Sequence, residues 1–413
     1  PATEGSTMDE NQLFALALGL TPPWFIEKVL FDPEQKRLDL FLDFKRGSKF
    51  PCPECGSGEG CPVHDTTEKT WRHLDFFQHQ AFLTARVPRI ECPTHGVRLT
   101  NVPWARPGSG FTLLFEAMAL LMCQQMPVAG VAKVMQANAN TLWRLLKHYV
   151  DQAVEDADYS DVRDVGTDEC AQRKGHNYIT TFCDLTQSRV VFVAEGRRKD
   201  TVRKFGTFLD RRGIPRAQVR NFCADMWEPY RLGITEEFPG ATLTFDRYHV
   251  VTLFNRAIDL VRRKEVRTVP LLKNSRWLWL RSQRKMTGDQ RSDLSWLSRL
   301  DTRTGKAYQI KLTLQRLWNH RNRAEAEVVL KRWYFWATHS RLEPVQAAKT
   351  IKRHWQGILQ FVDSRITTGI VEGLNSKIKT AMKRAYGFKS FEYLRTVIYL
   401  VAGKINIPLP TQC

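Results

Sequence analysis

Apolar and polar residues alternate along much of Arg37 to Phe44, and Trp24 to Phe31 is an aromatic- and β-branched-rich run interrupted only by Glu27-Lys28; with Asp32-Pro33-Glu34 as the turn between them, the two runs predict a β hairpin. Gln80 to Ile90 is a further extended run. The pattern breaks at Trp104-Ala105-Arg106-Pro107-Gly108-Ser109-Gly110, which reads as a linker, and a period near 3.6 follows. Helices are expected over Thr112 to Gln125, ended by Pro127, over Val128 to Met135, and over Asn140 to Val150. Val131, Ala132, Met135, Leu142 and Leu145 are spaced to close a trihelical core, and the Asn138-Ala139-Asn140 turn makes Val128 to Leu146 a helix-turn-helix candidate. Its second helix would carry Asn140, Thr141, Arg144 and Lys147 outward.

From Val162 to Asp246 the pattern is mixed. Strands are expected at Val162 to Thr167, Tyr178 to Asp184, Val190 to Ala194, Val219 to Asp225 and Ala241 to Asp246, with helices over Thr201 to Arg212 and Glu228 to Phe238. The short connections Arg173 to Asn177 and Thr186 to Arg189 imply an antiparallel meander, and the strand-helix-strand units after it imply parallel pairing. A mixed sheet with flanking helices is the expected result, in an α+β multidomain chain. Leu253 to Phe361 is helical throughout and holds seven of the twelve tryptophans. Beyond it, Val371, Leu374, Ile378 and Met382 form the buried stripe of an amphipathic helix.

Composition adds a partner class. Lys and Arg total 62 against 43 Asp and Glu, a net charge of +19, and such an excess favours polyanions. No apolar run approaches the roughly 20 residues that span a bilayer, so no membrane partner is expected. Leu13 to Leu20 lacks a basic lead-in and is followed by Pro22-Pro23, so no secretory signal is expected, and Pro1 to Thr7 reads as an appended segment ahead of Met8.

Of nine cysteines, Cys123, Cys170, Cys183, Cys223 and Cys413 are scattered singly, and the others cluster in repeated turns. Cys52-Pro-Glu-Cys55-Gly56 and Cys92-Pro-Thr-His95-Gly96 each present two ligands from a tight knuckle, so Cys52, Cys55, Cys92 and His95 form the preferred tetrahedral zinc set. Cys61-Pro-Val-His64 has the same spacing, and this pair either replaces the last two ligands or orients the site from outside. Arg72, His73, Arg86 and Arg89 near this unit either meet phosphates or form a solvated basic face.

Three carboxylates stand out in so cationic a chain. Asp168 follows one extended run, Asp225 ends another, and Glu372 opens the late amphipathic helix, off its apolar stripe. Taken singly, each is better read as a strand-end, N-cap or solvent-facing acid, and Asp246, Glu169 and Glu228 are rivals. Glu372 is nevertheless followed by Asn375, Lys379 and Lys383 at steps of three, four and four, with Arg384 beside them, groups suited to holding a DNA backbone. In the helical stretch, Trp277, Trp279, Trp296, Trp318, Trp333, Trp336 and Trp355 either stack on splayed bases, given the many Arg and Lys nearby, or fill a core.

Longer motifs give these residues a setting: C-P-E-C-G-S at Cys52 to Ser57, W-R-H-L-D at Trp71 to Asp75, V-P-W-A-R-P-G-S at Val102 to Ser109 and D-M-W-E-P-Y at Asp225 to Tyr230. F-D-R-Y-H-V at Phe245 to Val250, T-G-I-V-E-G-L-N-S-K-I-K at Thr368 to Lys379 and R-A-Y-G-F at Arg384 to Phe388 complete the set. On these motifs the chain resembles bacterial insertion-sequence transposases of the ISL3 family, from the N-terminal hairpin to Ile407. The extra Cys61-x-x-His64 pair departs from the expected pattern.

The resemblance implies an RNase H-like catalytic domain with an Asp-Asp-Glu triad at Asp168, Asp225 and Glu372, acting on inverted-repeat ends in the bacterial cytoplasm, at the nucleoid. It implies domains at 8–103 (hairpin and zinc), 108–150 (helix-turn-helix), 160–252 and 362–407 (catalytic), and 253–361 (helical insertion). Physical chemistry agrees, since in-line displacement at a phosphodiester builds charge that two Mg²⁺ or Mn²⁺ ions on shared carboxylates can neutralise. Zn²⁺ would be structural, double-stranded DNA the partner, and a homodimer the working form, because two ends must be cut in concert. The competing functions are a DNA-binding regulator with a dead core and a plain RNase H-like nuclease.

Overall fold

The structure, a computed structural model, describes residues 9–56, 59–173, 177–342 and 344–410. The segment before Met8, Met8 itself, Ser57 of the first knuckle and Cys413 lie outside the described residues, as does the middle of the expected Arg173 to Asn177 turn. Two compact units form, one from residues 1–155 with 406–413 and the other from residues 156–405. No described helix is long and apolar enough to cross a membrane.

The first unit begins with a short helix, α1 (Glu10–Ala17), started by a capping box between Asp9 and Gln12. The expected hairpin follows as β1 (Trp24–Asp32) and β2 (Arg37–Phe44). Three further strands, β3 (Val63–Arg72), β4 (Gln80–Cys92) and β5 (Gly96–Leu99), complete a sheet of order β1-β2-β4-β3, with β5 also on β4. The period-two pattern puts Leu38, Leu40 and Leu42 of β2 and Leu83, Ala85 and Val87 of β4 into one core. β3 was not legible because its run, Val63 to Arg72, is polar and half-exposed and is held by pairing along β4.

Trp104 corrects the expected linker. It is wholly buried, with ring centroids 4.9 Å from Trp24 and 5.7 Å from Trp71, so the segment that breaks the strand pattern is part of the sheet's core. After it come α2 (Leu113–Gln125), α3 (Val128–Val134) and α4 (Ala139–Asp156). The fully buried Glu116 of α2 accepts hydrogen bonds from Arg106 Nε (3.0 Å), Ser109 Oγ (2.6 Å) and Tyr149 Oη (2.5 Å), binding that segment to two of the three helices. A buried carboxylate with three donors holds its neighbours firmly, because any one left unpaired is costly. The sheet and the trihelical core therefore form one body, with no hinge at 104–110.

The second unit is built on the mixed sheet expected. β6 (Asp164–Arg173), β7 (Asn177–Asp184) and β8 (Arg189–Glu195) form the antiparallel meander, while β9 (Asn221–Ala224) and β10 (Thr242–Phe245) add parallel strands in the order β10-β9-β6-β7-β8. Helices α5 (Lys199–Arg211) and α6 (Glu228–Glu237) connect these strands, and Phe182, Phe205, Phe222 and Phe238 pack between them and the sheet. An all-helical insertion follows: α7 (Arg247–Glu265), α8 (Arg276–Leu280), α9 (Gly288–Arg299), α10 (Arg303–Arg316), α11 (Arg323–His339), α12 (Pro344–Arg353) and α13 (Trp355–Ser364). Trp279, Trp318, Trp333 and Trp355 fill its own core, with Phe254 and Leu330 among them. α13 lies so close to β10 that a Cβ on Gly357 would come within 2.5 Å of the Phe245 ring.

The chain then returns to the sheet with α14 (Gly369–Arg384) and α15 (Phe391–Ala402), which pack on β6 and β8. Val371, Leu374 and Ile378 are buried as their spacing predicts, each contributing roughly 1.5–3 kcal/mol of apolar transfer. Contact with β6 requires a glycine, since a Cβ at Gly166 would lie 2.4 Å from Val371 Cγ2 and 2.6 Å from Leu185 Cδ2.

Candidate functional site

The first knuckle turns back after Cys55 and the second after His95, and both end in a glycine at positive φ, Gly56 and Gly96. Their four ligand atoms lie within 4.8 Å of one another. Cys52 Sγ is 3.7 Å from His95 Nδ1, Cys55 Sγ is 3.8 Å from Cys92 Sγ, and Cys92 Sγ is 3.7 Å from His95 Nδ1. A zinc tetrahedron with bonds of about 2.3 Å to sulfur and 2.0–2.1 Å to nitrogen has edges of about 3.5–3.8 Å, so the set has the size of a zinc site. Backbone N–H groups of Cys55 and Glu54 pull the Cys52 thiol down, and those of His95 and Thr94 pull Cys92 down to about 7, towards the thiolate a metal needs. Glu54 Oε2 lies 3.6 Å from His95 Nε2, which leaves Nδ1 as the inward nitrogen.

Cys61 and His64 stand apart. Cys61 exchanges backbone hydrogen bonds with Phe50 and is buried in the sheet core, and His64 sits half-exposed beside Asp65, which is paired with Arg89. The basic residues of this unit are also largely engaged. Arg72 is buried on Asp75 and on the Ala81 carbonyl, Arg86 pairs with Asp43, and burial pushes His73 down to about 4 beside Thr112.

On the helix-turn-helix, Asn138 Oδ1 accepts from the N–H groups of Asn140 (2.8 Å) and Thr141 (3.4 Å) and so starts α4. Asn140 and Arg144 are exposed, Thr141 receives Arg144 Nη2 at 3.3 Å, and Lys147 pairs with Asp151 one turn on.

The carboxylates are gathered by the sheet. β6 and β9 run parallel in the register Val165↔Phe222, Gly166↔Cys223, and two residues further that register sets Asp168 level with Asp225. Neighbouring strands lie about 4.8 Å apart, and residues in register point to the same face. β9 stops at Ala224 while β6 runs on to Arg173 against β7 alone, so Asp168 lies beyond the last β6–β9 ladder pair. Asp168 therefore stands within a strand, not at the strand end the sequence suggested, because β7 carries β6 six residues past Thr167.

Each aspartate is held by its surroundings. Asp168 Oδ1 accepts from the Glu169 N–H (2.8 Å) and Oδ2 from Asn375 Nδ2 (2.8 Å); Asp225 Oδ1 accepts from the Met226 N–H (2.5 Å) and faces His249 Nδ1 at 3.4 Å. Burial, and then the like charge of Asp225, push the Asp168 carboxyl above the ordinary range, while the Glu169 N–H, His249 and Asn375 act against them. Glu169 is raised too, again chiefly by burial.

Glu372 is exposed in the first turn of α14, one turn before Asn375. Among the described residues the three acids do not draw together as closely as the zinc ligands do. Asn375 corrects an expectation: it is 2% exposed, bonded to Asp168 and within 3.5 Å of Thr181 Oγ1, so it orients a carboxylate and does not reach outward to a DNA backbone. Lys379, Lys383 and Arg384 further along are exposed as expected. Of the rival acids, Asp246 falls in the same row, one residue past Phe245↔Ala224, but is buried, caps α7 through Tyr248 N–H (3.2 Å) and accepts from Thr368 N–H (3.4 Å). It thereby ties down the start of α14. Glu228 is bound to Arg231.

Reasoning from sequence passed over His249, although its position three residues after Asp246 in F-D-R-Y-H-V puts it in the first turn of α7. It also missed Arg197, which lies between the rings of Tyr178 (4.1 Å) and Trp227 (5.1 Å) and reaches Glu169. Of the insertion's tryptophans, four are core and Trp277, Trp296 and Trp336 are exposed.

Three family models match the chain in succession. One described as a zinc-finger of transposase IS204/IS1001/IS1096/IS1165 covers residues 48–95, one described as the helix-turn-helix domain of transposase family ISL3 covers 100–150, and the ISL3 model described as transposase covers 165–398. The chain is 28% identical to the transposase for insertion sequence element IS1557 of Mycobacterium tuberculosis, over 98% of both chains. It is 29% identical to the transposase for insertion sequence element IS1001 of Bordetella parapertussis, over 91% of this chain and 95% of that one.

Proposed function

The chain belongs to the ISL3 family of transposases, and from that premise we propose that Asp168, Asp225 and Glu372 are its catalytic metal ligands. It is a DNA transposase, with a zinc ribbon and a helix-turn-helix for binding DNA and a catalytic domain for cleavage and strand transfer. The observation that carries the triad is the level placing of Asp168 and Asp225 on parallel strands, with α14 fastened to Asp168 through Asn375.

The acids fit Mg²⁺ or Mn²⁺. They offer oxygen ligands only, and the carboxyl of Asp168 is raised by burial and like charge that a divalent cation would offset. Two such ions, when bound, supply charge at the attacking and leaving oxygens of an in-line displacement at phosphorus. The chain's own residues prepare that arrangement. Asn375 and the Glu169 N–H fix the rotamer of Asp168, the Met226 N–H fixes Asp225, and Asp246 pins Thr368 so that Glu372 enters from a held helix end. Lys379, Lys383 and Arg384 carry the positive charge that holds the DNA backbone over these acids.

Asn140, Thr141, Arg144 and Lys147 read the terminal repeat, and Cys52, Cys55, Cys92 and His95 hold Zn²⁺ in a structural site closed to substrate. Two copies of the chain act together on two ends. A monomer on paired-end DNA, measured by light scattering, would contradict that.

Asp168→Asn tests the triad. Cleavage of labelled terminal DNA in Mg²⁺ should fall by at least about 10³-fold, more than 4 kcal/mol of barrier, with end binding unchanged. Unaltered cleavage refutes the assignment. Joining of the cut 3′ end to a target duplex separates a transposase from a nuclease that only releases ends.

A further inference from the structure

A cleft of about 500 Å³ opens in the second unit where the α12–α13 junction meets β10 and α6, and none of the three acids lines it. Its charged lining consists of Arg231, Arg323, Lys352 and Arg353, and no carboxylate lines it among the described residues. Arg231 and Arg323 are held by Glu228 and Asp363, but Lys352 and Arg353 are exposed, with Lys352 Nζ lying 4.4 Å from the centre of the Trp355 ring. The first three residues of the ten-residue α13, Trp355, Gln356 and Gly357, also line the cleft. Their N–H groups precede the helix's first internal acceptor, and its N-cap, His354, makes no side-chain capping bond.

His354 supplies an independent sign. It lines the same cleft, is 4% exposed and rests on the Phe245 ring at 4.9 Å, and its Nδ1 has no hydrogen-bond partner. A buried ring nitrogen left unpaired beside an uncapped helix N-terminus and two open cations describes a site waiting for an anion with oxygen acceptors.

We propose that this cleft binds a phosphodiester group of the DNA strand, and that the insertion thereby grips DNA beside the sheet independently of the catalytic acids. The inference rests on the transposase reading for its source of phosphate. The chemistry follows from the lining: Lys352 and Arg353 supply charge, and the α13 N–H groups supply directional donors. α6 begins three residues after Asp225 and carries Arg231 into the cleft, so a strand leaving the acids along that helix reaches it.

The test uses the full chain, a labelled duplex carrying the element's terminal repeat, and the variants Lys352→Ala/Arg353→Ala and Lys352→Glu/Arg353→Glu. Each phosphate contact contributes about 0.9 to the slope of log K against log salt, so the alanine pair should make the slope shallower by about 1–2. Affinity should fall by about 10-fold in the alanine pair and further in the glutamate pair, and phosphate-ethylation interference should disappear at one or two phosphates. Uniform weakening with an unchanged interference pattern overturns the proposal, as does unchanged binding in a variant whose melting temperature matches the parent. Inorganic phosphate is the second probe. If it raises the parent's melting temperature and not the variants', while their DNA binding is intact, the cleft takes free phosphate and the DNA proposal fails. The triad is judged separately, since continued cleavage by Asp168→Asn would sink that reading and leave the cleft result standing.

Discussion

At the zinc cluster, four ligand atoms from two local turns lie within 4.8 Å of one another, whereas Asp168, Asp225 and Glu372 come from β6, the end of β9 and α14 and stay further apart. The difference follows from the way each set is held. Each knuckle folds two ligands inward over three or four residues, so the cluster is complete once β4 brings Cys92 to Cys52. The acids depend on a sheet register, a glycine contact and one side-chain hydrogen bond across 207 residues. A site that must admit a phosphodiester cannot be closed by its own ligands, while a structural metal gains by being closed. Removing one ligand should therefore have opposite consequences for stability at the two places.

The largest effect is expected at the closed site. Structural zinc contributes on the order of 10–16 kcal/mol of apparent binding free energy in small domains, most of which is folding free energy. Cys92→Ser should abolish stoichiometric zinc, measured by metal analysis. It should also unfold the sheet of the first unit, read as lost near-ultraviolet signal from the Trp24, Trp71 and Trp104 cluster. Because Glu116 ties that sheet's neighbouring segment to α2 and α4, DNA-end binding should fall with it. Retained zinc at one per chain would mean that Cys61 or His64 substitutes, and the cluster would then be less fixed than its distances suggest.

The next test acts on the open site without touching an acid. Gly166→Ala would drive a Cβ to 2.4 Å from Val371 Cγ2, so α14 must shift away from β6. Overpacking of this kind costs about 1–3 kcal/mol, and a displacement near 1 Å can reduce a rate by about 10²-fold. Cleavage should drop by about 10- to 100-fold with end binding intact, more than the lost stability would explain. If the variant melts lower and cleaves normally, α14 does not position the third acid.

How much of this the sequence disclosed depends on the range of the forces involved. Knuckle spacing is local, and Cys52, Cys55, Cys92 and His95 were readable as a set; Cys61-Pro-Val-His64 imitates the spacing without the closing glycine, and its pairing with Phe50 keeps it in the sheet. The antiparallel meander and the parallel pairing after it followed from connection lengths, and the buried face of α14 from its apolar stripe. Burial was less legible. Trp104 sits among prolines and glycines that signal a loop, yet two other tryptophans enclose it, and Asn375 looks like a surface amide until β6 is laid beside it. His249 could not be weighed because its partner, Asp225, is brought near by the β9–β10 pairing and not by sequence spacing.

The smallest effect has the opposite sign. Burial, with Asp225 adding, holds the Asp168 carboxyl above its unfolded value near 3.9, so its charged form is disfavoured by folding. A raised folded value means that the favourable contribution is complete below the unfolded pKa and is lost as pH rises through the folded one. At pH 7 without metal, the ionised wild-type residue therefore costs stability, and Asn, of the same shape without charge, removes that cost. Asn offers one acceptor oxygen where Asp offers two, so either the bond from Asn375 or that from the Glu169 N–H is lost, which offsets about 0.5–1.5 kcal/mol. The cost of burying the charge should outweigh that lost bond, so the metal-free melting temperature should rise. The gain should shrink as pH falls through the raised value of the wild-type carboxyl, which then takes up its proton. It should reverse in saturating Mg²⁺, because only the wild type is stabilised by binding the ion. A metal-free Asp168→Asn chain that melts several degrees below the wild type at pH 7 would place Asp168 with Cys92, as a residue that stabilises the fold, and the contrast between closed and open sites would fail there.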